Sequence, residues 1–394
     1  MSASFLLASA SRERDAALLA SIHPRLTFDS HCWSIEWRPI AGRCLVAKRP
    51  IAAGMHIFTE MPLIVARGGS GGVARAILAL DRESAEFDGV CQLQGCTAIA
   101  GREATEEWAK RVAAINVHGA GGNVVDPSFQ RRGVLGLLAS MMQHECAPSA
   151  IAHISSVDEG SAVSLYSIRD LAVGELISIS YCGSYQPTAT RRQLLKSHYG
   201  FTCVCLRCIS LPEHVRAFWC PNCGDGPCSP ALPAAECREL LCDECGVTMG
   251  LDDETWGHFE GAERASDVGE CMQTLHPYHH RIVKMYQLNL LKLSGQQRAE
   301  VLQQHAAARV RMYSSFAAAT LAHALVANDI EAAAVGLLGA GDTAASAEVF
   351  QDAAQRFASF YGAASADVVR CSRASEMHTL AEYHQMGGEV LAHH

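Results

Sequence analysis

Apolar and polar positions alternate in two stretches of this chain, and apolar positions recur at helical spacing through most of its last third. In the first stretch, residues 44 to 66, "CLVAKRPI" and "MHIFTEMPLIVA" read as strands joined by "AAG", whose Gly54 supplies turn freedom, so a hairpin is expected. Residues 67 to 132 lose that signal. There "RGGSGG" reads as a flexible break, and the stretches around Ile77 to Leu80 and Trp108 to Ile115 read as helices of an insert. Alternation returns in "SAIAHISS", "SAVSLYSIRDL" and "ELISISY", separated by the turn signals "VDEG" and "AVGE", which predicts a three-stranded meander. From about residue 188, "TATRRQLLKSHYGF" predicts a short helix with Thr at its start and Gly200 at its end. Beyond residue 262 the chain carries helical patterns broken at Ser294-Gly295 and at "GAGD". No strict repeat period survives there, so the tail reads as an α-helical array that is tetratricopeptide-like without a proven period.

These patterns describe an α+β chain with segments at 1–39, 40–200 (67–132 being the insert), 201–250 and 262–394. A length of 394 residues exceeds the size at which one hydrophobic core stops growing, so two or three packed units are expected. The net charge of -9 argues against an electrostatic grip on nucleic acid or on an anionic membrane. No apolar run reaches the roughly 18 residues that span a bilayer, so no membrane association is expected. The start "MSASFLLASASRERDAALL" has too short an apolar core for a secretory signal, and Glu13 and Asp15 count against a mitochondrial leader. Seventeen cysteines without a secretory signal point to a reducing compartment, cytoplasmic or nuclear, where cysteine clusters bind metal more often than they form disulfides.

Nine of those cysteines lie between Cys203 and Cys245, so their clustering is not a composition effect. Tetrahedral zinc takes four soft or borderline ligands, and "YGFTCVCLRC" supplies three in Cys203, Cys205 and Cys208. The fourth is open at this point: Cys146 in "QHECAPS", or one of two downstream pairs. Those pairs, Cys220 with Cys223 and Cys242 with Cys245, stand 18 residues apart and make a zinc-ribbon signature. If they satisfy each other, the trio has to find Cys146. Cys228 and Cys237 are spare thiols or alternative ligands, and the bland alternative is chance pairing within a cysteine-rich loop.

The segments "QHECAPSA", "GELISISYCGSY" and "RRQLLKSHYGFTCVCLRC" resemble, in that order, the second half of a SET domain and its cysteine-rich post-SET segment. "AGRCLVAKRPIAAGMHIFTE" resembles the opening strands of the same domain. In order and spacing the chain is similar to the SET- and MYND-type lysine methyltransferases, in which a split SET domain precedes a helical C-terminal array. The similarity covers roughly residues 40 to 66 and 130 to 210, and the tail loosely. Between 67 and 132 only Cys91 and Cys96 occur, too few for a MYND zinc finger. The resemblance implies a β-rich SET fold with a helical insert, a zinc-binding post-SET and zinc-ribbon segment, and the helical array. It implies that Cys146 joins Cys203, Cys205 and Cys208 on one zinc ion, folding the post-SET segment over a cofactor pocket with an anchor worth roughly 10 kcal/mol or more. Cys220, Cys223, Cys242 and Cys245 would hold a second.

The activity so implied is transfer of a methyl group from S-adenosylmethionine to a lysine of a protein or peptide. Free lysine has a pKa near 10.4, so presenting it neutral costs about 4 kcal/mol before chemistry begins. A desolvated channel beside the cationic sulfonium lowers that cost. By the resemblance Tyr181 is the catalytic tyrosine, Tyr199 walls the lysine channel and Phe201 lies against the adenine. Gln143 and His144 hold the adenine and the methionine end, and Arg43 sits near the methionine moiety. Singly, Tyr181 reads as a strand tyrosine, Phe201 as packing and His144 as a buried histidine; their joint order carries the inference.

Three positions depart from the family pattern. Gln143 stands for Asn, Cys44 for the second glycine of the opening turn, and Ser149 for the closing Asn. The extra methylene of Gln143 displaces a hydrogen bond worth roughly 1 to 3 kcal/mol. A side chain at Cys44 is expected to crowd the cofactor or to resist a glycine conformation. These changes make an inactive SET scaffold, acting through a protein partner on the helical array, the rival reading. A nucleic-acid-reading ribbon is disfavoured, because Arg238 is the only Arg or Lys between Cys220 and Cys245.

Overall fold

The computed structural model describes residues 18–38, 42–93, 105–120, 132–155, 162–234, 237–265, 268–289, 293–383 and 385–386. Residues 1–17, weighed above as a leader, and the "VDEG" turn lie outside them. The chain divides into two compact units, one holding residues up to His144 with Pro148–Ile179, the other Glu145–Ala147 with Ser180–Val390. Among the described residues, no helix is long and apolar enough to cross a membrane.

The first unit is built from short strands. They are β1 (Leu26–Asp29), β2 (Trp33–Arg38), β3 (Gly42–Ala47), β4 (His56–Glu60), β5 (Ile64–Arg67), β6 (His118–Ala120), β7 (Arg132–Leu135), β8 (Gln143–His144), β9 (Ala150–Ser155), β10 (Ala162–Ser167) and β11 (Ser178–Ile179). The expected hairpin between residues 44 and 66 does not form. Instead β3 pairs antiparallel with β2, while β4 lies between β1 and β10. The reason is that both edges of β3 are taken: its other side receives the 175–177 segment, through Ala47 N–H to Glu175 O and Ile177 N–H to Leu45 O, each 2.9 Å. Pro62, which has no N–H for a ladder, falls between β4 and β5 and splits the second predicted strand. The meander is likewise two strands, β9 and β10, because β11 pairs in parallel with β8.

The insert supplies the helices Gly69–Ala79, Ala85–Cys91 and Glu106–Asn116, with Ser84 and Thr105 side chains capping the last two. "RGGSGG" is therefore not a flexible break but the entry to a helix. Gly72 serves close approach, since a Cβ there would stand 1.9 Å from the Arg67 carbonyl oxygen, while Gly68 and Gly69 take positive φ. Glu60 at the end of β4 is fully buried and accepts the backbone N–H groups of Leu137, Leu138 and Ala139 at 2.7, 2.9 and 2.9 Å. It thus fixes the short turn Ala139–Met141 that leads into β8.

In the second unit the Thr188–Tyr199 helix is followed by the single turn Leu206–Ile209 and an antiparallel sheet of β12 (Phe218–Trp219), β13 (Pro227–Pro230), β14 (Glu239–Cys242) and β15 (Thr248–Gly250). Helices then run Asp253–Arg264, Val268–Thr274, His280–Asn289, Gly295–Tyr313, Ala319–Ala322, Ala327–Gly339, Thr343–Tyr361 and Ala366–Ala374. Ser294 opens the Gly295–Tyr313 helix with a capping box completed by Gln297, and Asp342 caps Thr343–Tyr361. The breaks expected at Ser294-Gly295 and "GAGD" are therefore helix starts. Close helix approach needs glycine at 295, where a Cβ would stand 2.3 Å from Gly336 O. Buried Glu331 is clasped by Arg370 through Nε and Nη2, at 2.7 and 2.8 Å, and accepts the Tyr383 hydroxyl at 3.0 Å.

Candidate active site and metal centres

Gly200 closes the Thr188–Tyr199 helix at φ 78°, turning the chain toward the thiols that follow. Cys203, Cys205 and Cys208 converge there with Cys146, the four sulfurs lying within 4.8 Å of one another. Cys146 Sγ is 3.9 Å from Cys203 Sγ and 3.6 Å from Cys208 Sγ. Four thiolates held at about 2.3 Å by tetrahedral zinc stand about 3.8 Å apart, so donor type and spacing fit that ion. Hydrogen bonds, that from Cys146 foremost, bring Cys208 down to about 7 and Cys205 well below the usual thiol range.

Two buried guanidinium groups flank this cluster. Arg191, fully buried, has Nη2 3.8 Å from Cys208 Sγ and Nη1 3.6 Å from Glu213. Arg207 donates to the carbonyls of Cys146 and Ser184 at 3.1 and 2.7 Å. Glu213 also accepts the Thr188 N–H at 2.7 Å, so one carboxylate both faces Arg191 and caps the helix that carries it. Two buried cations beside one buried carboxylate call for further negative charge, which thiolates on a divalent ion would provide. Sequence reasoning passed over both arginines. Their signal was an arginine inside each half of "RRQLLKSHYGFTCVCLRC".

The second thiol set is local. Cys220 and Cys242 each begin a turn that returns a hydrogen bond from a left-handed glycine, Gly224 N–H to Cys220 O at 2.9 Å and Gly246 N–H to Cys242 O at 3.1 Å. These two matching knuckles place Cys220 Sγ 3.9 Å from Cys245 Sγ and Cys223 Sγ 3.9 Å from Cys242 Sγ. Again the spacing fits a tetrahedral four-thiolate ion. Cys228 and Cys237 stand outside the set. Cys228 directs its S–H to Trp219 O, and burial pushes its thiol up to about 12. A further group, Glu263, His279 and His280, also has metal-ligand chemistry. There Arg216 already occupies both Glu263 oxygens at 2.8 Å and His279 Nε2 lies 2.9 Å from Oε1, which makes it an ion-pair core.

Against the first thiol cluster pack Tyr181, Tyr199 and Phe201. Tyr181 and Tyr199 have ring centroids 5.0 Å apart, and Tyr199 and Phe201 6.5 Å. Burial, with Cys182 nearby, pushes the Tyr199 hydroxyl above its ordinary value and keeps it protonated.

The remaining site candidates lie in the first unit. Gln143 and His144 form β8, and the Gln143 side-chain amide donates to the Arg43 carbonyl at 3.0 Å, tying β8 to β3. Cys44 does not take a glycine conformation: it is an ordinary residue of β3 with its side chain fully buried. The glycine conformation weighed for this position is therefore not required. Ser149 and Ser178 exchange hydrogen bonds, each hydroxyl accepting the other's N–H at 3.0 and 2.8 Å. Ser149 thus closes the segment after Cys146 onto β11 without the family's Asn.

With this geometry in view, the comparisons with known proteins give a class. Residues 42–182 match the SET domain. The chain is 24% identical over 199 residues to the histone-lysine N-methyltransferase set5 of Schizosaccharomyces pombe, covering 48% of this chain and 54% of that one. It is 30% identical over 112 residues to a SET and MYND domain-containing protein of Dictyostelium discoideum, covering 26% and 32%. It is 35% identical over 69 residues to the histone-lysine N-methyltransferase SMYD3 of Homo sapiens, covering 18% and 15%. The matched spans are about half or less of these relatives' lengths. The chain carries a SET domain over residues 42–182, and the proteins similar to it include a SET and MYND domain-containing protein and histone-lysine N-methyltransferases.

Proposed function

We propose that this chain is an S-adenosylmethionine-dependent protein-lysine N-methyltransferase with two structural zinc ions, acting in the cytoplasm or nucleus. The observation that carries the reading is the coincidence of the SET match at 42–182 with an aromatic group, Tyr181, Tyr199 and Phe201, packed on a four-thiol cluster. S-adenosylmethionine supplies an electrophilic methyl group on a cationic sulfonium. Tyr181 orients the lysine amine, Tyr199 excludes water from its channel as a protonated, half-buried hydroxyl, and Phe201 offers a face for the adenine. By the SET resemblance His144 and Gln143 hold the adenine and the methionine end, and Arg43 sits near the methionine moiety. The zinc ions bound by Cys146, Cys203, Cys205 and Cys208 and by the ribbon cysteines Cys220, Cys223, Cys242 and Cys245 are structural, since four protein ligands leave no open position. On this reading 201–250 is a post-SET segment with a zinc ribbon, and 262–394 a tetratricopeptide-like array.

The test is transfer of labelled methyl groups from S-adenosylmethionine to histones and to a panel of lysine-containing proteins. Transfer should occur and should fall about a hundredfold or more in Tyr181→Phe. Undiminished transfer in that variant would remove Tyr181 from the mechanism. Absence of both cofactor binding and transfer would leave a SET scaffold working through protein contacts.

A further inference from the structure

Tyr181 is followed by a segment, Cys182 to Pro187, that belongs to no helix or strand, so side-chain anchors must fix its course. Two of them originate more than 90 residues away in sequence. The Tyr185 hydroxyl donates to the Tyr278 carbonyl at 2.5 Å. The Ser184 hydroxyl meets the Tyr313 hydroxyl at 3.2 Å, at the last residue of the Gly295–Tyr313 helix. The Ser184 carbonyl takes an N–H of Arg207, whose guanidinium lies 5.8 Å from the ring centroid of Phe316, just beyond that helix.

The contact between Ser184 and Tyr313 is backed by a partly buried cation. Arg309 Nη2 donates to the Tyr313 oxygen at 3.2 Å, and the same guanidinium is ion-paired with Asp329 on the next long helix. The Tyr313 oxygen thus accepts from Arg309 and shares a further hydrogen bond with the Ser184 hydroxyl, in which either group can be the donor. Burial opposes ionisation of the Tyr313 hydroxyl, yet Arg309 and the hydrogen bonds to it outweigh burial and leave the group more acidic than usual. Tyr313 is 7% exposed and its ring packs 5.7 Å from Phe316, so the helix end has little freedom to drift.

We propose that Tyr313 is a positioning residue for the methyl-transfer site: through its hydrogen bond to Ser184 the C-terminal helical array holds the segment that carries Tyr181. The proposal rests on the reading of Tyr181 as the catalytic tyrosine. It makes the array part of the catalytic apparatus and not only a partner-binding appendage.

A double-mutant cycle on the full, zinc-loaded chain tests it, with Ser184→Ala, Tyr313→Phe and the pair. Phe keeps the ring packing, and Ser184→Ala alters only the segment, so folding is preserved in at least one arm. Two readouts are needed: hydrogen exchange of the peptide spanning 180–187, and the methyl-transfer rate against KM for S-adenosylmethionine. Each single variant should raise exchange of that peptide and lower kcat by about fivefold to tenfold, with KM unchanged. The double variant should be no worse than either single one, because both remove the same bond. Additive effects, or exchange and kcat left at the parent values, would overturn the proposal. A parent chain that transfers no methyl group at all would defeat the enzyme reading, and the exchange cycle would still report whether the array holds the segment.

Discussion

The two four-thiol clusters of the second unit use the same ligands in opposite ways. Cys220, Cys223, Cys242 and Cys245 come from two matching knuckles of one small sheet, with Cys223 and Cys245 only partly buried. Cys146, Cys203, Cys205 and Cys208 unite residues 57 positions apart, and two buried arginines neighbour them. The ribbon-like set staples a local structure that its own turns already favour. The other closes a longer loop, so its loss frees about 1 kcal/mol more chain entropy and releases the segment between. Only that set touches the aromatic group to which methyl transfer is assigned. One metal is therefore expected to support folding locally, and the other to support the reaction.

The contrast can be broken in order of effect. Cys146→Ser should lose one equivalent of zinc and lower methyl transfer by about a hundredfold or more, measured by metal content and initial rate. Glu213→Ala should cost about 3–5 kcal/mol by chemical denaturation, because it leaves Arg191 buried without its carboxylate. Substitution at the other cluster should be milder for catalysis: Cys223→Ser should lose the second zinc equivalent and lower Tm, while transfer stays within about twofold of the parent. Equal loss of activity in Cys146→Ser and Cys223→Ser would erase the distinction.

A pH series sharpens the same contrast from the ribbon side, where β12 packs on the Arg216, Glu263 and His279 core through Phe218. Burial would raise the Glu263 carboxyl, but hydrogen bonds from His279 and Arg216 overcome it and hold the group at about 2, against 4.5 for a free carboxyl. A depressed folded-state pKa contributes stability above the unfolded value and loses it as pH falls through the folded one. About 3 kcal/mol should therefore disappear between pH 4.5 and pH 2. Glu263→Gln should flatten that acid limb in a pH-dependent denaturation series, and an unchanged limb would remove Glu263 from the account.

The sequence was most informative where chemistry dictates spacing. The C-x-C-x2-C and C-x2-C signals located seven of the eight clustered thiols, because a tetrahedral ion tolerates few arrangements of neighbouring cysteines, and the family resemblance supplied Cys146. Breaks in the helical pattern at Ser294-Gly295 and "GAGD" were legible, and the structure shows them to be capped helix starts, because caps are local. Strand partners were not. Alternation marks "CLVAKRPI" as a strand but cannot say that β2 claims one edge and residues 175–177 the other. "RGGSGG" misled for a related reason: glycine reports permissiveness, and only the fold reveals that Gly72 is needed for close approach to Arg67. Buried arginines beside the thiols escaped notice because burial of a charge depends on partners as distant as Glu213.

Calorimetric titration of S-adenosylmethionine into the zinc-loaded chain tests the central claim most directly. The account predicts saturable one-to-one binding in the micromolar range, despite Gln143 in place of Asn, because the Gln143 amide is engaged with the Arg43 carbonyl and Cys44 is turned into the core. No heat of binding at millimolar cofactor, from protein that retains both zinc ions and its fold, would contradict it.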